Sequence, residues 1–288
     1  MPSDVGDTDD EVKLGDTSHF VDVDGSKSPA ALGVLRGVIV VVGLVGLWEV
    51  VRLILRVDPL TMPSVASLWL KLMTRDINGD LFIFFLLKNM LVTGGGSVAG
   101  LCLGAFLGVV CGLLIAEKDL IRRSLLPLIV IAQTVPIVAI APAVVLFFGV
   151  GTLSKAVVAA FLTFFPSAMT TARGIQSVPG ETIELMQTYN ASSWAILIAV
   201  KLPYALPLIF VGLETSAAFS VVGAIVAELP FGSRNGLGVV ILSSWQFYTI
   251  EPQSLYCTVL ATCALGGIIV SFIRLAARLA LGGRQNYF

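Results

Sequence analysis

The chain of 288 residues is 56% hydrophobic and only 13% charged, with a mean hydropathy of +0.93. Soluble domains carry about a quarter charged residues, so most of this chain must face lipid or other apolar segments. The apolar runs are long and continuous, which excludes a β-barrel built on alternating segments of about ten residues.

The net charge of −1 conceals an asymmetry. Residues 1–30 hold Asp4, Asp7, Asp9, Asp10, Glu11, Asp16, Asp22 and Asp24 against Lys13 and Lys27, with His19 alone among them. That composition predicts an acidic, disordered tail, and it lacks the basic start and apolar core of a signal peptide. Residues 31–288 are predicted to form a single membrane-embedded domain of basic balance. A helix crosses a bilayer with about 20 apolar residues, and six candidate spans follow, at 32–55, 89–116, 125–148, 153–172, 204–227 and 255–279. The expected fold class is therefore an all-α polytopic membrane protein. The excess of Lys and Arg, led by Lys118, Arg122, Arg123, Arg274 and Arg278, places both termini and residues 173–203 in the cytoplasm.

After the first span, Pro63 and Ser64 mark the start of a short helix. Val65, Leu68, Trp69, Leu72 and Met73 share one of its faces, which predicts an amphipathic segment lying along the outer interface. The second span carries Gly96, Gly100, Gly104, Gly108 and Gly112 at every fourth position. Such a face lets another backbone approach closely, first of all within the subunit. The third span contains QTVPIVAIAP, in which Pro136 and Pro142 each remove a backbone donor. With the polar Gln133 and Thr134, this predicts an element lining a pathway, a packed kink being the alternative. The fifth span holds Glu214 at membrane depth and Glu228 at its outer end, with Ser216 and Ser220 between them. An intramembrane carboxylate is costly and marks a candidate pathway group, unless an arginine elsewhere pairs with it. Trp245, Phe247 and Tyr248 are expected to form an aromatic belt at the outer edge, contact with a docked protein being the alternative.

Cys102, Cys111, Cys257 and Cys263 lie in apolar spans without a CxxC pair and read as small buried hydrophobes, not as metal ligands or disulfides. The chain has no GxxxxGK[ST] phosphate loop, so it cannot bind ATP by that route itself, and no cofactor is expected. No HExxH or GxSxG pattern supports membrane hydrolysis.

One polar island interrupts this apolar sequence: ELMQTYNASSWAILIAVKLP, residues 184–203. Its skeleton is Glu184, five residues, Asn190, nine residues, then Val200, Lys201, Leu202 and Pro203. This resembles the E-A-A-x3-G-x9-I-x-L-P loop of the membrane subunits of type I binding-protein-dependent ABC importers. Glu184, Leu202 and Pro203 match by identity, and Val200 replaces isoleucine. Leu185 and Met186 stand for two alanines, and Asn190 stands for the glycine. Asparagine is the non-glycine residue that most readily takes a left-handed backbone, so a helix-ending bend is expected there.

The resemblance implies the type I importer permease fold, with a cytoplasmic coupling loop over residues 177–203 seated in a cleft of an ATPase subunit. It implies coupling roles for Glu184, Leu185, Met186, Asn190, Ala191, Ser192, Trp194, Leu202 and Pro203, with Glu184 favouring the start of the loop helix. It also implies a pathway past Gln133, Thr134, Pro136, Pro142, Glu214, Ser216, Ser220 and Glu228. The implied partners are a second permease copy, two ATP-binding subunits and an extracytoplasmic solute-binding protein, in the cytoplasmic membrane of a prokaryote and without nucleic acid. Residues 212–238, with Ala227–Glu228 and the Gly236-Leu237-Gly238 turn, resemble the sulfonate, taurine, nitrate and thiamine-precursor branch. SVVGAIVAE, 220–228, looks most like permeases for thiamine-precursor pyrimidines or riboflavin-like heterocycles. Glu214 departs from the branch. The rival expectation is a stand-alone carrier using Glu214 for proton coupling, although the sequence shows no inverted repeat.

Overall fold

The computed structural model describes residues 29–75, 79–229 and 235–282. The acidic tail, Arg234 and Arg284 lie outside the described residues. Helix α1, Pro29–Ile54, stands in a unit of its own. Its side chains from Ile39 to Leu44 are exposed along their apolar length, and Glu49 accepts from Arg52 Nε at 2.9 Å.

The second unit begins at Arg56. Helix α2, Val65–Met73, starts as the sequence predicts, with Ser64 Oγ accepting from the Ser67 amide at 3.2 Å. Only part of its apolar face is covered. Leu68 is buried with Phe82, Leu86, Val240 and Cys257, while Trp69 is 62% exposed. Lys71 Nζ donates to Glu251 at 2.6 Å, tying α2 to the start of the last helix. The Lys71 ammonium, by hydrogen bond and charge, holds the Glu251 carboxyl below its ordinary range.

The long elements are α3 (Phe82–Glu117), α4 (Asp119–Gln133), α5 (Ile137–Phe148), α6 (Thr152–Gln176), α9 (Leu202–Glu228) and α11 (Pro252–Leu281). Between α6 and α9 lie α7 (Gly180–Thr188), α8 (Ser193–Ile196) and a π turn, Leu197–Lys201; α10 (Leu237–Gln246) precedes α11. Among the described residues, four helical segments are long and apolar enough to cross a membrane: 82–117, 152–176, 193–228 and 252–281. The pair α4 and α5 makes a fifth candidate if counted as one span, and α1 contributes 26 further residues of apolar character.

The expected continuous span at 125–148 is corrected. It is two helices that meet at 95°, with Pro136 capping α5. Pro136 has no amide to donate and restricts the residue before it, so α4 ends at Gln133. Pro142 sits inside α5 without ending it.

The glycine face of α3 packs against α6 within the subunit. A Cβ on Gly96 would stand 2.8 Å from Lys155 Cβ, one on Gly104 2.8 Å from Ala160 Cα, and one on Gly112 2.6 Å from the Ala168 carbonyl. Helix α9 also closes on α6, where Gly223 meets Ala159 at 2.6 Å by the same measure. Without a hydrophobic driving force in lipid, such backbone-to-backbone packing is what holds helices together. Leu101, Ala105, Ala217, Val221, Leu265 and Ile269 then join α3, α9 and α11 in one apolar cluster.

Candidate functional site: the inter-helix loop and the broken span

Helix α6 ends at Gln176, and Ser177 Oγ bonds back to the Gly174 carbonyl at 2.7 Å. Val178 is buried, and Pro179 opens α7. The end of α7 is a Schellman motif. The Ala191 amide donates to the Met186 carbonyl at 3.1 Å, and the Asn190 amide to that of Gln187 at 2.9 Å. These bonds satisfy the last carbonyls of the helix and require a left-handed residue between them. Asn190 supplies it, at φ 57°. Ser192 then caps α8, its Oγ accepting from the Ala195 amide at 3.3 Å. Leu202 begins α9, with Pro203 in its first turn, where the missing proline amide costs nothing.

The loop is thus two helices joined at Asn190. Glu184 is not at the start of a helix. It is the fifth residue of α7, and the acid in the first turn is Glu181. No residue of α7 is buried. Leu185 is 56%, Tyr189 77% and Trp194 69% exposed, an aromatic and apolar surface on a polar connection. Sequence reading missed Tyr189; its place directly before the left-handed residue was the available signal.

Replacing Asn190 tests that joint. Asn190→Gly should leave the loop's thermal and proteolytic stability close to that of the parent. Asn190→Val should cost about 1–2 kcal/mol, because a β-branched residue is strained at positive φ. Limited proteolysis between α7 and α8 reads the difference, and equal cleavage of the two variants would refute it.

At the broken span, Gln133 lines a cavity of about 490 Å³ with Val130, Phe165, Met169, Arg173 and Phe219. Thr134 Oγ1 is engaged locally, donating to the Ile131 carbonyl at 2.7 Å. Glu214 meets Arg274 Nε at 2.9 Å, joining α9 to α11. Of the remaining predicted pathway residues, Pro136 is exposed and Pro142 half-buried, whereas Ser216, Ser220 and Glu228 face the packed interior. Ser216 Oγ donates to the Thr163 carbonyl and lies 2.9 Å from Ser167 Oγ; Ser220 Oγ donates to the Ala217 carbonyl at 2.8 Å. Both serines are fully buried, because α9 turns its small residues toward α6.

Glu228 is buried as well, in a network that sequence reading missed. It pairs with Lys155 Nζ at 2.8 Å, with both side chains almost wholly buried. Thr93 Oγ1 lies 2.9 Å from Glu228 Oε1. The Gly238 amide donates to Oε2 at 2.7 Å, the Leu237 amide to Thr93 Oγ1 at 2.8 Å, and the Gly236 amide to Asn89 Oδ1 at 2.7 Å. Three successive amides at the N-terminus of α10 thereby receive acceptors from α3 and α9, and the carboxylate sits where a helix dipole favours an anion. Gly236, at φ 137°, would drive a Cβ into the Glu228 carboxylate.

Residues 104–282 match the family model described as binding-protein-dependent transport system inner membrane component. The chain belongs to this family. It is similar to the riboflavin transport system permease protein RibX of Chloroflexus aurantiacus, at 40% identity over 42% of this chain, although it spans only 45% of that relative's length. It is similar to the putative aliphatic sulfonates transport permease protein SsuC of Bacillus subtilis, at 27% identity over 88% of this chain and 90% of the relative. Its fold is like that of a chain from the inward-facing MetNI methionine ABC transporter, with a TM-score of 0.53 and 17% identity, over 69% of this chain and 96% of that one. For an inner membrane component of this family, the jointed α7–α8 loop and the broken span fall inside the matched region, as do Lys155, Glu228 and Gly238 of the buried network, whereas its Asn89 and Thr93 lie before it.

Proposed function

We propose that the chain is the membrane-spanning subunit of an ATP-driven importer of a small solute, working as a homodimer with two ATP-binding subunits and an extracytoplasmic binding protein. The observation that carries this reading is the α7–α8 element, a left-handed joint at Asn190 presenting Leu185, Tyr189 and Trp194 uncovered. An apolar face of this kind on a polar loop calls for a protein partner. In this reading Glu184, Leu185, Met186, Ala191, Ser192 and Trp194 meet the ATPase at the cytoplasmic face, and Leu202 and Pro203 pass its motion to α9. Closure of the ATPases favours one state of the bundle over the other, and the population shifts accordingly. Solute passes between the two copies, along the cavity that Gln133 lines.

The resemblance to RibX favours a flat heterocycle as the solute, with a sulfonate next. A stand-alone proton-coupled carrier is disfavoured, because the matched family is that of binding-protein-dependent transport systems and Glu214 is engaged by Arg274 Nε at 2.9 Å.

The test is reconstitution in liposomes with the cognate ATPase and binding protein. ATP-dependent uptake of radiolabelled riboflavin, lost on Leu185→Glu together with Trp194→Glu, is the expected result. Uptake that persists without ATP would refute the reading, and ATP-dependent uptake of taurine in place of riboflavin would correct the solute alone.

A further inference from the structure

Glu117 is the last residue of α3, where the helix dipole disfavours an acid. Its side chain nevertheless meets Lys201 Nζ at 2.6 Å, with side-chain exposures of 26% and 17%. Lys201 closes the π turn, in which the Leu202 amide reaches back to the Leu197 carbonyl. Such a turn carries one extra residue and interrupts the regular ladder between α8 and α9. A displacement of α7 and α8 thus reaches Leu202 and Pro203 across an irregular turn. Sideways, the connection is firm. Leu197 and Leu202 belong to the apolar cluster that includes Val109, Leu113 and Ala116 of α3. Helix α3 in turn lies against α6 on its glycine face, where a Cβ on Gly108 or Gly112 would stand 2.6 Å from the Phe164 or Ala168 carbonyl.

We propose that the Lys201–Glu117 pair is the latch through which movement of the α7–α8 loop reaches α3 and, with it, α6. Lys201 and Glu117 are positioning residues for energy coupling. The inference rests on the importer reading above. An ion pair at this exposure adds little to stability, so losing it should leave the fold intact and release the geometry.

The experiment uses the full chain with Cys102, Cys111, Cys257 and Cys263 replaced by serine and a reporter Gln133→Cys in the cavity, reconstituted with its ATPase subunit. The rate of labelling by N-ethylmaleimide is compared with and without trapping by ADP and vanadate. With the latch intact, trapping should change the rate about fivefold or more, the size of an ordinary coupling between sites. Lys201→Gln and Glu117→Gln should each abolish that change while ATPase association and basal hydrolysis persist. The exchange of charges, Lys201→Glu with Glu117→Lys, should restore it. Single variants that keep the full response to trapping would overturn the latch. Should a single variant fail to associate with the ATPase, the charge exchange decides, and its failure to restore association overturns the latch too. A latch-intact chain that neither binds the ATPase nor responds to trapping would instead overturn the importer reading itself.

Discussion

Lys155→Met should destabilise the folded subunit by about 3–5 kcal/mol, because it leaves the Glu228 carboxylate buried without its cation. The pair is among the most enclosed charges in the described residues, with Glu228 1% and Lys155 3% exposed. Glu228 also serves the Gly238 amide and Thr93 Oγ1, so its partners cannot all be removed at equal cost. Lys155→Met combined with Glu228→Gln should therefore recover most of the loss. The glutamine oxygen can still accept from Gly238, and no net charge stays buried. Lys155→Met with Glu228→Leu should recover less, since it orphans the Gly238 amide, a penalty of about 1–3 kcal/mol. Unfolding midpoints in mixed detergent micelles rank the three variants. An unchanged midpoint for Lys155→Met alone would show that the network contributes nothing.

The second large effect is expected on the α3 glycine face. Gly104 faces the Ala160 backbone so closely that a methyl group there would overlap it. Gly104→Ala should cost about 1–3 kcal/mol through overpacking, and Gly104→Leu should prevent α3 and α6 from docking at all. Gly95 on the same helix meets nothing within 4 Å. Gly95→Ala should be neutral or stabilising, because alanine exceeds glycine in helix propensity by about 1 kcal/mol. Equal midpoints for Gly104→Ala and Gly95→Ala would show that close approach of the backbones does not hold these helices together.

Both predictions concern partners that lie far apart in the chain, and that separation marks what could be read from sequence. The preference of a segment for lipid or water is a sum over neighbouring residues, so the helical spans were legible in the apolar runs. The conformation at Asn190 is a property of one residue and the helix before it, and it too was legible; the structure has it at φ 57°. The glycine period gave a close-packed face, although not its partner. Continuity of the third span was misread because hydropathy does not distinguish a straight helix from two helices meeting at 95°. What only the tertiary structure decided is which charges meet. Lys155 with Glu228, Arg274 with Glu214 and Lys201 with Glu117 are joined by the packing of whole helices. Glu214 and Glu228 look alike in sequence, as acids at the middle and end of one span. Packing gives the first a half-exposed arginine bond and the second a sealed network at the start of α10. The reason is physical: the cost of burying a charge depends on the partners that surround it, and those partners are brought from distant parts of the chain by the fold.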